Sequence, residues 1–263
     1  ELIASNQLVE AESMLNDAIW TDSTYAPLYV QRGIVSAMQN RFGEAIPDFT
    51  RGIALNPKLP EAYYSRGLAY AKNDERDKAI SDYNMAIKIK PDYSVAYYNR
   101  GLIHYKNANY DGAMDDFRKT INFDPKYYKA FYNLSLIFNQ KGDTAQEIEN
   151  LTQAININSK YTEAIYNRGL AYLKSQQHEK AERDFLRAAF LDPGFGEARY
   201  NLGVTYERMR RYRDAKKQFE IYIKNAPPFD SLRVRELLDK FPQMDKWQKR
   251  IDSVKASEKS KTG

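Results

Sequence analysis

The sequence predicts an all-α solenoid, a row of stacked helix pairs, on three observations. Gly33, Gly67, Gly101, Gly169 and Gly203 share a 34-residue spacing, and Ser135 fills the one place in that series where glycine is missing. A second series, Ala45, Ala79, Ala113, Ala181 and Ala215, keeps the same phase, with Phe49, Tyr83, Phe117, Phe185 and Phe219 four residues later. Pro57, Pro91, Pro125, Pro193 and Pro227 close each period. A fixed period of this length marks a stacked array rather than a globule with one core.

Six complete units run over residues 26–229. With each unit numbered from 1, so that Gly67 is position 8, residues that are mostly small or apolar, apart from arginine at 7 in four units, fall at 4, 7, 8 and 11, then at 20, 21, 24, 27 and 28. Both runs have the spacing of one helix face, so each unit reads as a helix A, a short turn and a helix B. The proline at position 32 ends helix B, because it disfavours helix at the preceding residue and has no N–H. Upstream, Ala11, Leu15 and Ala18 match positions 20, 24 and 27, so residues 1–25 are expected to hold a partial unit, the end of a helix A plus a helix B, in a piece of a longer protein. Downstream, Asp230 is placed to cap a helix through Phe241, Pro242 interrupts it, and Trp247 to Val254 completes capping helices over 230–254. Residues 255–263 read as a disordered basic tail.

Small residues at positions 8 and 20 imply a close helix crossing, since glycine costs a helix about 1 kcal/mol relative to alanine and its recurrence needs a packing reason. Within residues 60–93 the phased residues are Tyr63, Arg66, Gly67, Tyr70, Ala79, Tyr83, Ala86 and Pro91. This pattern resembles the tetratricopeptide repeat family, whose unit has aromatics at 4, 11 and 24, Leu-Gly at 7 and 8, alanine at 20 and 27 and proline at 32. The resemblance covers residues 26–229 without an inserted gap. It implies a right-handed superhelical solenoid of antiparallel helix pairs.

One departure is systematic. Arg32, Arg66, Arg100 and Arg168 stand at position 7, where the family has leucine, while Leu134 and Leu202 keep it. Asp48, Asp82, Asp116 and Asp184 lie sixteen residues after the arginines; the two leucine units carry Asn150 and Gln218 instead. Charges that come and go together predict ion pairs between helices A and B, bidentate because guanidinium and carboxylate match in shape.

The residues offer little chemistry. The chain has 43% hydrophobic and 29% charged residues, no cysteine and two histidines. No apolar run is long enough to span a membrane. Without cysteine there are no disulfides or thiolate metal sites, a composition that fits a bacterial envelope or periplasm better than the cytoplasm. His104 takes a core position and reads as packed, and His178 lies in a helix turn. With no paired histidines and no glycine-rich phosphate loop, the sequence predicts neither an enzyme nor a cofactor or metal site.

The charge is concentrated at one end. Residues 199–263 hold 17 Lys or Arg against 9 Asp or Glu, a balance of +8 in a chain of +5. Arg208, Arg210, Arg211 and Arg213 crowd the last turn as a candidate basic patch for an acidic protein, a membrane or nucleic acid, although no aromatic nucleic-acid motif accompanies it.

The family resemblance implies a concave wall made by the A helices, with positions 2, 5, 6, 9, 12 and 13 facing the groove. Position 6 carries Asn99, Asn133, Asn167 and Asn201, whose amides offer both donor and acceptor to the backbone of an extended peptide. Position 5 adds Tyr64, Tyr98, Tyr132, Tyr166 and Tyr200, suited either to ligand contact or to stacking on the next repeat. Lys72, Lys106, Lys174 and Arg208 at position 13 suggest a basic edge, which Glu61, Glu163 and Glu197 at position 2 blunt. The carboxylate clamp of chaperone-binding members is incomplete in every register, with only Asn99 and Lys129 matching isolated elements.

The unit at 128–161 departs most, with Ser135 for Gly, Glu147 for Ala, Asn150 for Asp and Ser159 for Pro. A carboxylate at a close crossing needs a donor, and the pattern offers Ser135; the unit is expected to be a weaker joint. Three functional readings follow: a protein-interaction scaffold with a peptide or partner helix in the groove, an adaptor docking through its basic end, and a self-associating architectural array.

Overall fold

The computed structural model describes residues 2–225, and side chains over 7–224. The capping helices and tail expected over 230–263 lie outside the described residues. Two compact units, residues 1–130 and 131–263, divide the chain within one helix.

The first unit opens with α1 (Leu2–Thr21), a single unbroken helix where the partial unit predicted the end of one helix and a second. Then come the hairpins α2 (Ala26–Met38) with α3 (Phe42–Leu55), α4 (Pro60–Lys72) with α5 (Arg76–Ile89), and α6 (Ser94–Lys106) with α7 (Tyr110–Phe123). α8 (Tyr128–Lys141) crosses into the second unit, followed by α9 (Thr144–Ile157), α10 (Thr162–Lys174), α11 (His178–Leu191), α12 (Gly196–Arg208) and α13 (Tyr212–Asn225). The described residues contain no strand.

Each A helix stops by the same device. Asn40, Asp74, Ala108, Gly142, Gln176 and Arg210, all at position 15, adopt left-handed backbone with φ between 57° and 76°. The N–H of the next residue reaches back to the carbonyl five residues earlier, as in Arg41 to Ser36, Asn109 to His104 and Arg211 to Tyr206 at 2.8–2.9 Å. This is the Schellman stop, which satisfies a carbonyl that the helix end would otherwise leave open. Beside the prolines, four B helices have a second stop signal. Asn56, Asp124, Asn158 and Asp192 each accept from the N–H two residues on, so α9 ends on schedule although Ser159 replaces proline.

The core repeats with the helices. Ala45, Ala79, Ala113, Ala181 and Ala215 have no exposed surface, and neither do Phe49, Tyr83, Phe117, Phe185 and Phe219. Burying each ring contributes about 2–3 kcal/mol. The ring is also what requires glycine at position 8: a Cβ on Gly33, Gly67, Gly101, Gly169 or Gly203 would lie 2.6–2.9 Å from a ring carbon. In α8 and α9 the ring is replaced by Leu151, and the buried Ser135 is accommodated.

Candidate functional site

Position 7 reaches across more than one interface. Arg32, Arg66, Arg100 and Arg168 each place Nε and Nη2 on the two carboxylate oxygens of Asp48, Asp82, Asp116 and Asp184, at 2.6–2.9 Å. The carboxylates are 5–13% exposed. Each Nη1 donates in addition to Asn16, Thr50, Asn84 or Thr152, sixteen residues upstream. One guanidinium therefore ties its own hairpin to the preceding helix B. Hydrogen bonding to the aspartate holds Arg32, Arg66 and Arg100 above the usual arginine range. The sequence signal for the third contact is the residue at i−16: an acceptor before every arginine, but Arg118 and Leu186 before Leu134 and Leu202.

The asparagine and tyrosine rows engage each other. Asn99 donates to Tyr64 Oη at 3.2 Å, Asn167 to Tyr132 at 3.0 Å and Asn201 to Tyr166 at 2.9 Å, each one repeat apart. Asn99 and Asn201 also donate to the carbonyls of Val95 and Glu197, which fixes their amide orientation, since a carbonyl only accepts. Both donors are thereby consumed, and Oδ1 is the amide atom left for a ligand. At these two positions the donor half of the expected donor-and-acceptor row is engaged within the protein. Asn133 is buried.

Tyrosine rings at position 5 pack against a second aromatic series that the sequence reading missed, at position 34. Centroid distances are 5.3 Å for Tyr64–Tyr93, 4.7 Å for Tyr98–Tyr127, 5.0 Å for Tyr132–Tyr161 and 4.7 Å for Tyr166–Phe195. Tyr200 packs on Phe219 and Tyr222. Burial pushes the Tyr93 and Tyr127 phenols up to about 12. The rings pack within their own unit, and at Tyr64, Tyr132 and Tyr166 the hydroxyl is engaged from the next. Their 34-residue recurrence was the available signal.

The exposed charges at positions 2 and 13 also serve the helices. Glu61, Glu163 and Glu197 sit in the first turns of α4, α10 and α12, and Lys72, Lys174 and Arg208 in the last turns. Each complements the partial charge of the helix end it occupies. Lys106 closes α6 in the same way. Between these edges position 9 carries half-buried aliphatics: Ile34, Leu68 and Leu102 in the first unit, Leu136, Leu170 and Val204 in the second.

The basic patch is smaller than its sequence. Arg211 is tied to Glu182 at 2.9 Å and Asp214 at 2.8 Å and stacks over the Tyr206 ring at 4.4 Å. Arg208, Arg210 and Arg213 are exposed. Ser135 is not the donor to Glu147: its hydroxyl donates to the Tyr132 carbonyl at 2.6 Å, a bond within its own helix. Asn139 holds Glu147 instead, at 2.6 Å. Burial raises the Glu147 carboxyl above its usual range, against the lowering effects of Asn139 and Lys174. Among the described residues, no three His, Asp or Glu side chains converge on one metal position, and no helix is long and apolar enough to cross a membrane.

Repeated helical hairpins with one recurring A-helix face define an all-α solenoid. Tetratricopeptide repeat models match residues 60–93, 94–127, 128–161, 162–195 and 197–228, and a TPR repeat model matches 33–74. The chain belongs to the tetratricopeptide repeat family. Solved structures share the fold. YrrB, described as a TPR protein with an unusual peptide-binding site, is 23% identical with a TM-score of 0.63 over 72% of this chain and 97% of its own. The C-terminal part of a TPR repeat-containing protein from Cytophaga hutchinsonii is 16% identical, with a TM-score of 0.71 over 88% and 96%. Pseudomonas aeruginosa pilF is 15% identical, with a TM-score of 0.69 over 82% and 97%. No curated protein matches the chain.

Proposed function

We propose that this chain is a non-enzymatic protein-interaction scaffold that holds an extended peptide or a partner helix against its A helices. The half-buried aliphatic stripe at position 9 carries the reading. Apolar side chains left partly open on a regularly repeating face favour apolar side chains from outside. Beside the stripe, the Oδ1 atoms of Asn99 and Asn201 are acceptors, and an extended backbone brings N–H donors at a regular spacing. Acidic residues at one end of the A helices and basic residues at the other would set the direction of a charged ligand. YrrB, which shares the fold, is described as having an unusual peptide-binding site, a use of the same scaffold consistent with this reading.

Selection of displayed random peptides against the folded chain tests the proposal. Selected peptides are expected to lose at least about tenfold in affinity, about 1.4 kcal/mol, for Leu102→Glu and Leu170→Glu, with folding checked by circular dichroism. Peptides that bind both folded variants undiminished would contradict it.

A further inference from the structure

The first hairpin interface lacks the ring pair present at the others. Position 5 is Val30 and position 34 is Leu59, where later units have tyrosine and an aromatic residue. A cleft of about 190 Å³ opens at this place between α2 and α4, lined by Pro27, Val30, Gln31, Leu59, Glu61 and Ala62. The polar partner is missing too: Ser65 stands at the position from which Asn99, Asn167 and Asn201 donate to a tyrosine hydroxyl one repeat earlier. Ring, ring partner and amide have been replaced together.

The geometry points to a subsite for the aromatic side chain of a bound peptide, a tyrosine with a basic neighbour; this rests on the peptide-scaffold reading. The other interfaces supply the argument for the ring. At Tyr64, Tyr132 and Tyr166 the ring packs against position 34 and its hydroxyl accepts from the asparagine of the next repeat. In the first interface those walls remain, in aliphatic form, and the ring is absent. Size narrows the ligand further. Pockets for whole small molecules run to roughly 300–1,000 Å³, so this cleft takes one side chain rather than a metabolite. Val30 is 6% exposed and Leu59 half-buried, which makes the floor apolar. The exposed Gln31 and Glu61 form a polar rim, and the Glu61 carboxylate favours lysine or arginine beside the inserted ring.

The test uses three heptapeptides with lysines flanking a central tyrosine, leucine or alanine, titrated into the isotope-labelled full chain and followed by amide shifts. The tyrosine peptide is expected to bind at least about tenfold tighter than the alanine peptide and to move the Val30, Gln31 and Glu61 signals. A double variant, Val30→Tyr with Leu59→Tyr, rebuilds the ring pair that the other interfaces already accommodate. It is expected to fold with an unchanged or raised Tm and to lose the tyrosine preference. Equal affinity for tyrosine and alanine peptides, absence of binding, or a preference that survives in the double variant would overturn the assignment. Peptides selected on the Leu102 stripe are titrated into the same double variant. If they still bind while the tyrosine preference is absent from the native chain, the subsite fails and the scaffold reading stands.

Discussion

In α4 and α5 the hairpin is closed by Tyr83 over Gly67 and by Arg66 on Asp82, whereas in α8 and α9 the same positions hold Leu151, Ser135, Leu134 and Asn150. The first solution is a ring on a bare backbone with a bidentate ion pair beside it. The second exchanges ring for leucine and ion pair for leucine with an amide, and Asn150 satisfies itself on the carbonyl of Gln146 at 2.8 Å. Within each set the partners change together, glycine with a ring and arginine with an aspartate, and α12 and α13 join one set of each kind, Phe219 over Gly203 beside the neutral Leu202 and Gln218. What the pair teaches is that the unit of variation is the contact set, since a lone aspartate or a lone arginine at this depth would be a stranded charge.

The largest effect should come from separating such a set. Asp116→Ala leaves Arg100 facing a hole and is expected to cost about 3 kcal/mol, while Asn150→Ala, which removes a neutral bond, costs about 1 kcal/mol. Urea unfolding of the two variants compares them directly. Next is the glycine. A Cβ on Gly101 would lie 2.9 Å from the Phe117 ring and 3.1 Å from Asp116 Cβ. Gly101→Ala is therefore expected to lose about 1–3 kcal/mol by overpacking, outweighing the gain of about 1 kcal/mol in helix propensity. Ser135→Ala, in the unit without a ring, should stay within about 1 kcal/mol of the parent.

A pH series sharpens the comparison, because only the unit of α8 and α9 buries Glu147 at position 20. Burial raises its folded pKa above the ordinary carboxyl value of 4.5, so the folded state binds more protons than the unfolded state as pH climbs past that value. Stability is then lost with rising pH. Glu147→Gln is expected to raise Tm at neutral pH, with the gain shrinking below about pH 4.5, where both states are protonated. A variant with the same Tm shift at all pH values would rule out titration of this group. The smallest effect lies in the turns. Ala108→Gly relieves a left-handed alanine and should stabilise by about 0.5–1 kcal/mol, and Gly142→Ala should do the reverse.

Much of the fold was legible because packing repeats itself. Close approach admits few residue types, so position 8 is glycine in five units and position 20 alanine in five, and both recur visibly. The left-handed stop at position 15 was invisible for the opposite reason. It is a surface position whose backbone cost is modest, so Asn, Asp, Ala, Gly, Gln and Arg all occupy it and no pattern forms. The candidate site was read only in outline. Phase located the asparagines and tyrosines, but which atoms they use on each other depends on side-chain geometry one repeat away, as at Asn99 and Tyr64. The cleft beside Val30 was hidden because it is marked by residues that are missing from a series.

The most direct measurement places a photo-crosslinking benzophenone side chain at Leu102 and at Leu170 in turn, with a control at Arg118, which is exposed on helix B. Each protein is irradiated with the selected peptides. The scaffold account predicts adducts at 102 and 170, and none at 118. Adducts at 118 with none on the A helices would contradict it.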